Sequence, residues 1–139
     1  MAVSVIIPTS FRHEMLDKVH DLNTDTFKCA LYTVALDATC TAYSVTNEVS
    51  ESGTGYTAGG ATTTGTHSTT GTTGYFDFSD VTWSTSTITA ACALVYNVSA
   101  SNKAVLIIDF GGNVVSSGGD FKVDFPAAGA STSVVAIAG

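Results

Sequence analysis

SGTGYTAGGATTTGTHSTTGTTG, running from Ser52 to Gly74, holds nineteen Gly, Ser or Thr in twenty-three positions and no Asp, Glu, Lys or Arg. So few bulky side chains leave the tract little with which to form a core of its own. Its threonines favour extended backbone and its glycines punctuate it. Two readings follow: a flexible linker, or short strands and loops held by something else. The flanks favour strands, because Tyr75, Phe76 and Phe78 follow at once and supply the core contacts the tract lacks. Strand pieces are expected near Thr57–Thr64 and Thr72–Phe78.

Working outward, the 139 residues suit one domain with a real core. Charged residues are 12% of the chain and apolar residues 45%. The charge is about half the usual share for a soluble protein. Surfaces depleted in charge are typical of interface cores, although a Thr/Ser-coated β domain has the same composition. The net charge of −7, with five scattered basic residues, argues against direct nucleic-acid binding and against an anionic membrane surface. Cys29, Cys40 and Cys92 show neither a C-x-x-C nor a metal-ligand spacing. They read as buried, reduced thiols, in keeping with synthesis in a reducing cytoplasm. The apolar opening Ala2–Ile7 is too short for a leader, and Pro8 ends it.

Periodicity predicts one helix over residues 11–22, with Phe11, Met15, Leu16, Val19 and Leu22 on the inner face. Ser10 is its expected cap, Glu14–Lys18 an exposed i,i+4 pair and Asn23 its stop. Phe27–Leu36 is apolar on both faces, so both should be covered. Tyr43–Glu51 reads as a weaker extended segment. Thr85–Val98, Lys103–Phe110, Phe121–Phe125 and Thr132–Ala138 complete the strand set. Turns recurring at roughly 8–12 residues predict a mainly β chain. The expected architecture is an antiparallel β-sandwich or barrel, jelly-roll-like, with one short N-terminal α-helix. Residues 1–9 form an apolar arm, which either docks on its own sheet or reaches a neighbour. Residues 10–139 form a single domain with a Gly/Thr-rich extension at 52–74.

No nucleophile elbow, zinc-protease motif or phosphate loop is present. Gly53–Gly59 is rich in glycine but lacks the following helix and reads as a turn. His13 and His20 are expected to be solvated on the helix, and His67 stands alone. The acidic pairs Asp21/Asp25, Glu48/Glu51, Asp77/Asp80 and Asp120/Asp124 do not match a calcium loop. Asn97-Val98-Ser99 fits a glycosylation sequon, but Asn97 reads as the end of a strand. No catalytic residue, metal site or cofactor is predicted.

A series of motifs runs along most of the chain. Asp21-Leu22-Asn23-Thr24-Asp25-Thr26-Phe27 follows the helix. Thr46-Asn47-Glu48-Val49 and Gly55-Tyr56-Thr57-Ala58-Gly59-Gly60 come next. Asp80-Val81-Thr82-Trp83, Val95-Tyr96-Asn97, Asp109-Phe110-Gly111 and Gly118-Gly119-Asp120-Phe121 close it. In this order and spacing the chain resembles a group of small tailed-bacteriophage virion structural proteins, some of them capsid cement (decoration) proteins. Residues 61–74 depart from that pattern by their Thr/Gly monotony. The resemblance implies a non-enzymatic virion protein on the capsid exterior, partnered by the major capsid protein and by itself, with a trimer favoured. Its alternatives are a tail or head–tail connector component and a host-glycan-binding module using Tyr75, Phe76 and Trp83. Because extended, uncharged segments can add to a partner's sheet edge, the expected contacts are Ala2, Val3, Val5, Ile6, Ile7, Gly55, Tyr56, Thr57, Gly59 and Gly60.

Overall fold

The computed structural model describes residues 4–125 and the backbone of 135–138; Ala2 and Val3 of the expected arm lie outside the described residues. Among the described residues the chain is mainly β, with antiparallel sheets and one short α-helix, and the sheets do not close into a barrel. The elements are β1 (Ser4–Ile6), α1 (Thr9–Leu16), β2 (Phe27–Tyr32), β3 (Ala61–Thr63), β4 (Gly65–Thr70) and β5 (Thr73–Phe78). They continue with β6 (Val81–Ser86), β7 (Thr89–Asn97), β8 (Lys103–Val115), β9 (Gly119–Val123) and β10 (Val135–Ala138). A five-stranded sheet has the order β1-β8-β7-β2-β3; β10-β5-β4 and β6-β9 form two smaller sheets.

The large sheet is buried on both faces, as the two-faced apolar pattern of β2 requires. On one face Phe27, Cys29, Leu31, Val95 and Ile108 meet Phe76, Phe78, Trp83, Phe121 and Phe125 from the smaller sheets and their flanks. On the other, Ala30, Tyr32, Leu94, Tyr96 and Ile107 are covered by Leu36, Cys40 and Tyr43 from the 33–48 connection. That connection is mostly irregular, with isolated bridges at Ala42 and Glu48, instead of the extended segment expected at 43–51. All three cysteines are free, with Cys29 and Cys92 buried.

The apolar opening takes the first of its two destinations. Ser4, Val5 and Ile6 pair with Asp109, Ile108 and Ile107 at the β8 edge of the large sheet. The Gly/Thr tract is ordered, with β4 and β5 paired in unbroken register from Gly65↔Phe78 to Thr70↔Thr73. At two positions the packing demands glycine. At Gly60 (φ +78°) an added Cβ would lie 1.8 Å from the Cys29 carbonyl oxygen, and at Gly65 it would lie 2.0 Å from the Phe76 ring. Contacts that close are open only to a residue without a side chain.

The expected helix over 11–22 is shorter and differently turned. α1 begins after Pro8, so Ser10 lies inside the first turn and does not cap it. It ends at Leu16, and Lys18 adopts φ +62°. Leu16 is 87% exposed, whereas Glu14, expected in solvent, is buried. Ending the helix there frees the chain to turn His20 inward, where it has polar partners. The long strand expected at 85–98 is two elements. Thr85 has φ +51°, and the chain passes from β6 in one layer to β7 in the other. β8 runs past Gly111-Gly112, where it was expected to stop. Their positive φ values allow a four-residue bulge, with Phe110–Asn113 opposite Ala91, between the pairs Ala90↔Val114 and Cys92↔Asp109.

Candidate functional site

The turn after α1 and the β4–β5 hairpin enclose a groove of about 460 Å³. Met15 and Leu22 line one side and Tyr75 and Phe76 the other, with Lys18, Asp21, Asn23, His67, Ser68 and Thr69 adding polar groups. The register puts His67 opposite Phe76 and Thr69 opposite Gly74. Period-two alternation therefore places these four on one face of the hairpin. An added Cβ at Gly74 would meet nothing within 4 Å, so the missing side chain contributes directly to the open space. A largely apolar concavity with a few polar groups is the usual form of a binding site.

His20 lines the groove and joins it to a buried polar cluster. The Asn97 side-chain amide donates to Asp25 Oδ2 at 2.6 Å and lies 3.0 Å from His20 Nδ1. An amide N–H facing Nδ1 leaves the imidazole proton on Nε2. That nitrogen is 3.7 Å from Glu14 Oε1, and Glu14 Oε2 is 2.9 Å from Lys103 Nζ. Burial is the main cause that holds the His20 pKa below its ordinary value, helped by the Lys103 charge and opposed by Glu14 and Asp25. His20 is therefore neutral near pH 7. The cluster ties α1 and the turn after it to the β7–β8 hairpin. Among the described residues, no group of His, Cys, Asp and Glu has an arrangement that could hold a metal ion.

A second network organises the residues of the quoted motifs. Glu48 Oε2 accepts from the Tyr43 hydroxyl at 2.7 Å, and Oε1 accepts from the Tyr56 hydroxyl and the Gly59 amide, each at 2.7 Å. The Tyr56 oxygen in turn accepts from the Leu31 amide at 3.0 Å. The Tyr96 hydroxyl donates to the Gly59 carbonyl at 2.6 Å. Burial, more than the neighbouring Glu48, pushes the Tyr56 and Tyr43 phenols well above their ordinary range, so both remain donors. A carboxylate with three donors is a strong local pin.

These contacts locate the residues expected at an interface. Tyr56 and Gly59 are buried, and Gly60 lies against the β2 backbone, so these three serve internal packing. Gly55 and Thr57 are exposed on the same turn. Val5 is 48% exposed on the edge strand β1, with Ile6 and Ile7 half-buried beside it. The aromatic set considered for glycans is divided. Phe76 and Trp83 are in the core, Trp83 against Tyr56 and Phe121, and only Tyr75 is partly exposed. His13 is exposed and paired with Asp17 at 3.0 Å, as a solvated helix histidine should be, but His20 is not. The Glu14–His20–Asn97 cluster has no local sequence signal, because Asn97 is far along the chain from the stretch that carries Glu14 and His20. Asn97 does end its strand; its side chain accepts from the Ala100 amide at 3.1 Å, capping the 3-10 turn Val98–Ala100.

No helix among the described residues is long and apolar enough to cross a membrane. Comparison with protein-family models, with curated proteins and with solved structures returned no match.

Proposed function

We propose that this chain is a non-enzymatic virion structural protein: a capsid cement or decoration protein that stabilises a phage head by bridging capsid subunits. The observation that carries this is the use made of the motif residues. Glu48, Tyr56 and Gly59, within the blocks that resemble the phage group, direct their polar groups at one another and brace a loop. They create a rigid β body whose exposed surface is rich in Thr, Ser and Gly and poor in charge. Such a body suits contact with neighbours. Val34 and Val45 on the 33–48 connection and Leu16 at the end of α1 are exposed apolar residues of the kind that contacts cover. The partners are the major capsid protein and further copies of this chain, with a trimer favoured. Repetition over a symmetric shell multiplies modest single contacts into high avidity.

The test is particle robustness. Heads assembled without the chain should release DNA at a lower temperature or a milder osmotic shock than complete heads, and purified protein added back should restore them. Equal robustness with and without the chain would remove the cement role. Density confined to the tail in a particle reconstruction would favour the connector alternative instead.

A further inference from the structure

We propose that the groove between the turn after α1 and the β4–β5 hairpin binds a small amphipathic carboxylate, a compact acyl or aryl body with one anionic head, and that Lys18 holds the head. The first observation is how the helix ends. The Val19 amide donates to the Glu14 carbonyl at 3.0 Å and the Lys18 amide to the Met15 carbonyl at 3.5 Å, with Lys18 at φ +62°. This is the Schellman arrangement, and its left-handed residue is usually glycine, which escapes the steric cost of that conformation. Glycine would serve the turn better than lysine. A bulky residue kept in this region at a cost is a mark of function.

The second observation is what surrounds that side chain. Lys18 lines the groove together with Met15, Leu22, Tyr75 and Phe76. Glu14, its expected i,i+4 partner, is taken by Lys103 at 2.9 Å, and among the described residues Lys18 forms no ion pair. Asp21 also lines the groove, but its carboxylate is engaged in its own loop. Its Oδ1 accepts from the Asn23 amide at 2.9 Å. Hydrogen bonds from Thr24 and Asn23, with His67 across the groove as the charged neighbour, hold that carboxyl below its ordinary value. The groove therefore combines an apolar floor, a cation without a counter-ion at its rim and a carboxylate already satisfied. A cationic ligand would meet Lys18 unfavourably, and a neutral one would leave it unused. A carboxylate on an apolar body answers both parts, with the body over Met15 and Leu22 and towards the open space at Gly74. The site rests on the helix end and the groove, and does not require a virion location.

The experiment titrates octanoate, and separately its neutral counterpart octanamide, into the full isotope-labelled chain and follows the amide NMR shifts. Octanoate at millimolar concentration should shift amides of the groove-lining residues on both walls and bind at least about threefold more tightly than octanamide. Lys18→Gly should abolish that preference. Its melting temperature should hold or rise by up to about 5 °C, because glycine relieves the left-handed turn. Lys18→Arg should retain the preference for octanoate. Gly74→Val, which fills the floor from an open position, should weaken both ligands alike. Equal affinity for octanoate and octanamide overturns the proposal, as does a Lys18→Gly chain that keeps the preference. Shifts confined to residues outside the groove, or no shifts at millimolar octanoate, overturn it too. A Lys18→Gly chain that melts clearly below the wild type removes the argument from strain and overturns the proposal with it.

Discussion

Replacing Glu48 by alanine removes the acceptor for three donors at once: the hydroxyls of Tyr43 and Tyr56 and the amide of Gly59, each at 2.7 Å. Hydrogen bonds to a charged group contribute about 1.5–3 kcal/mol each, and a buried donor left unpaired costs a similar amount. Water can reach Tyr43 and Glu48, which are only half-buried, so the full sum overstates the loss. Tyr56 is 3% exposed and cannot be rescued in that way. A net loss of about 4 kcal/mol results, against a total stability of roughly 7–20 kcal/mol for a chain this long. The melting temperature should fall by about 12–20 °C. Chemical and thermal unfolding followed by circular dichroism measure this, with the exposed neighbour Glu51→Ala as a control expected to stay within about 0.5 kcal/mol. Tyr56→Phe should destabilise as well, because it also deprives the Leu31 amide of its acceptor. A double-mutant cycle between Glu48 and Tyr56 should show coupling of about 1 kcal/mol or more. A Glu48→Ala loss below about 1 kcal/mol, or no coupling, would refute the role given to this network.

Gly60→Ala should prevent stable folding at ambient temperature, since its Cβ would meet the Cys29 carbonyl at 1.8 Å in a backbone with φ +78°; a soluble, cooperatively melting variant would contradict this. His20 has a folded pKa below its ordinary 6.5, so the unfolded chain binds the extra proton. Stability should therefore fall as pH drops beneath about 6.5 and level off below the folded value, and His20→Gln should flatten that slope in urea titrations at each pH. Burial raises the Cys29 thiol to about 12 and the Cys92 thiol to about 11. A thiol reagent at mildly alkaline pH should modify Cys40 first and all three only after denaturation. Phe11→Ala should cost about 3–5 kcal/mol, whereas Leu16→Ala should change stability by less than about 0.5 kcal/mol, which separates the short helix from the longer one that periodicity predicts.

Much of the β architecture was legible because its signals are local. The apolar residues on both faces of Phe27–Leu36 announced a sheet covered on both sides, although the strand itself stops at Tyr32, and the aromatics after the Gly/Thr tract announced a strand there. Ends and crossings were not legible, since they depend on distant partners. The helix stops at Leu16 because Glu14 and His20 turn inward to meet Lys103 and Asn97, residues far along the chain. The break after Ser86 reflects a change of layer, and a run of alternating residues does not encode which layer each half joins. Gly111-Gly112 resembled a strand end because the same positive-φ glycines serve a turn and a bulge equally well. For the candidate site, the tract is conspicuous in composition alone. The groove beneath it appears only when Met15 and Leu22 are brought against Phe76 by the fold. Tyr56, Gly59 and Gly60 stood out as motif residues, but whether a motif braces a loop or meets a partner is settled by which way its side chains turn.

The proposed structural role in a virion is tested most directly by counting molecules. Quantitative mass spectrometry of purified particles should find this chain in copy numbers comparable to the major capsid protein. Particles that lack the chain, or contain only a handful of copies, would contradict the account.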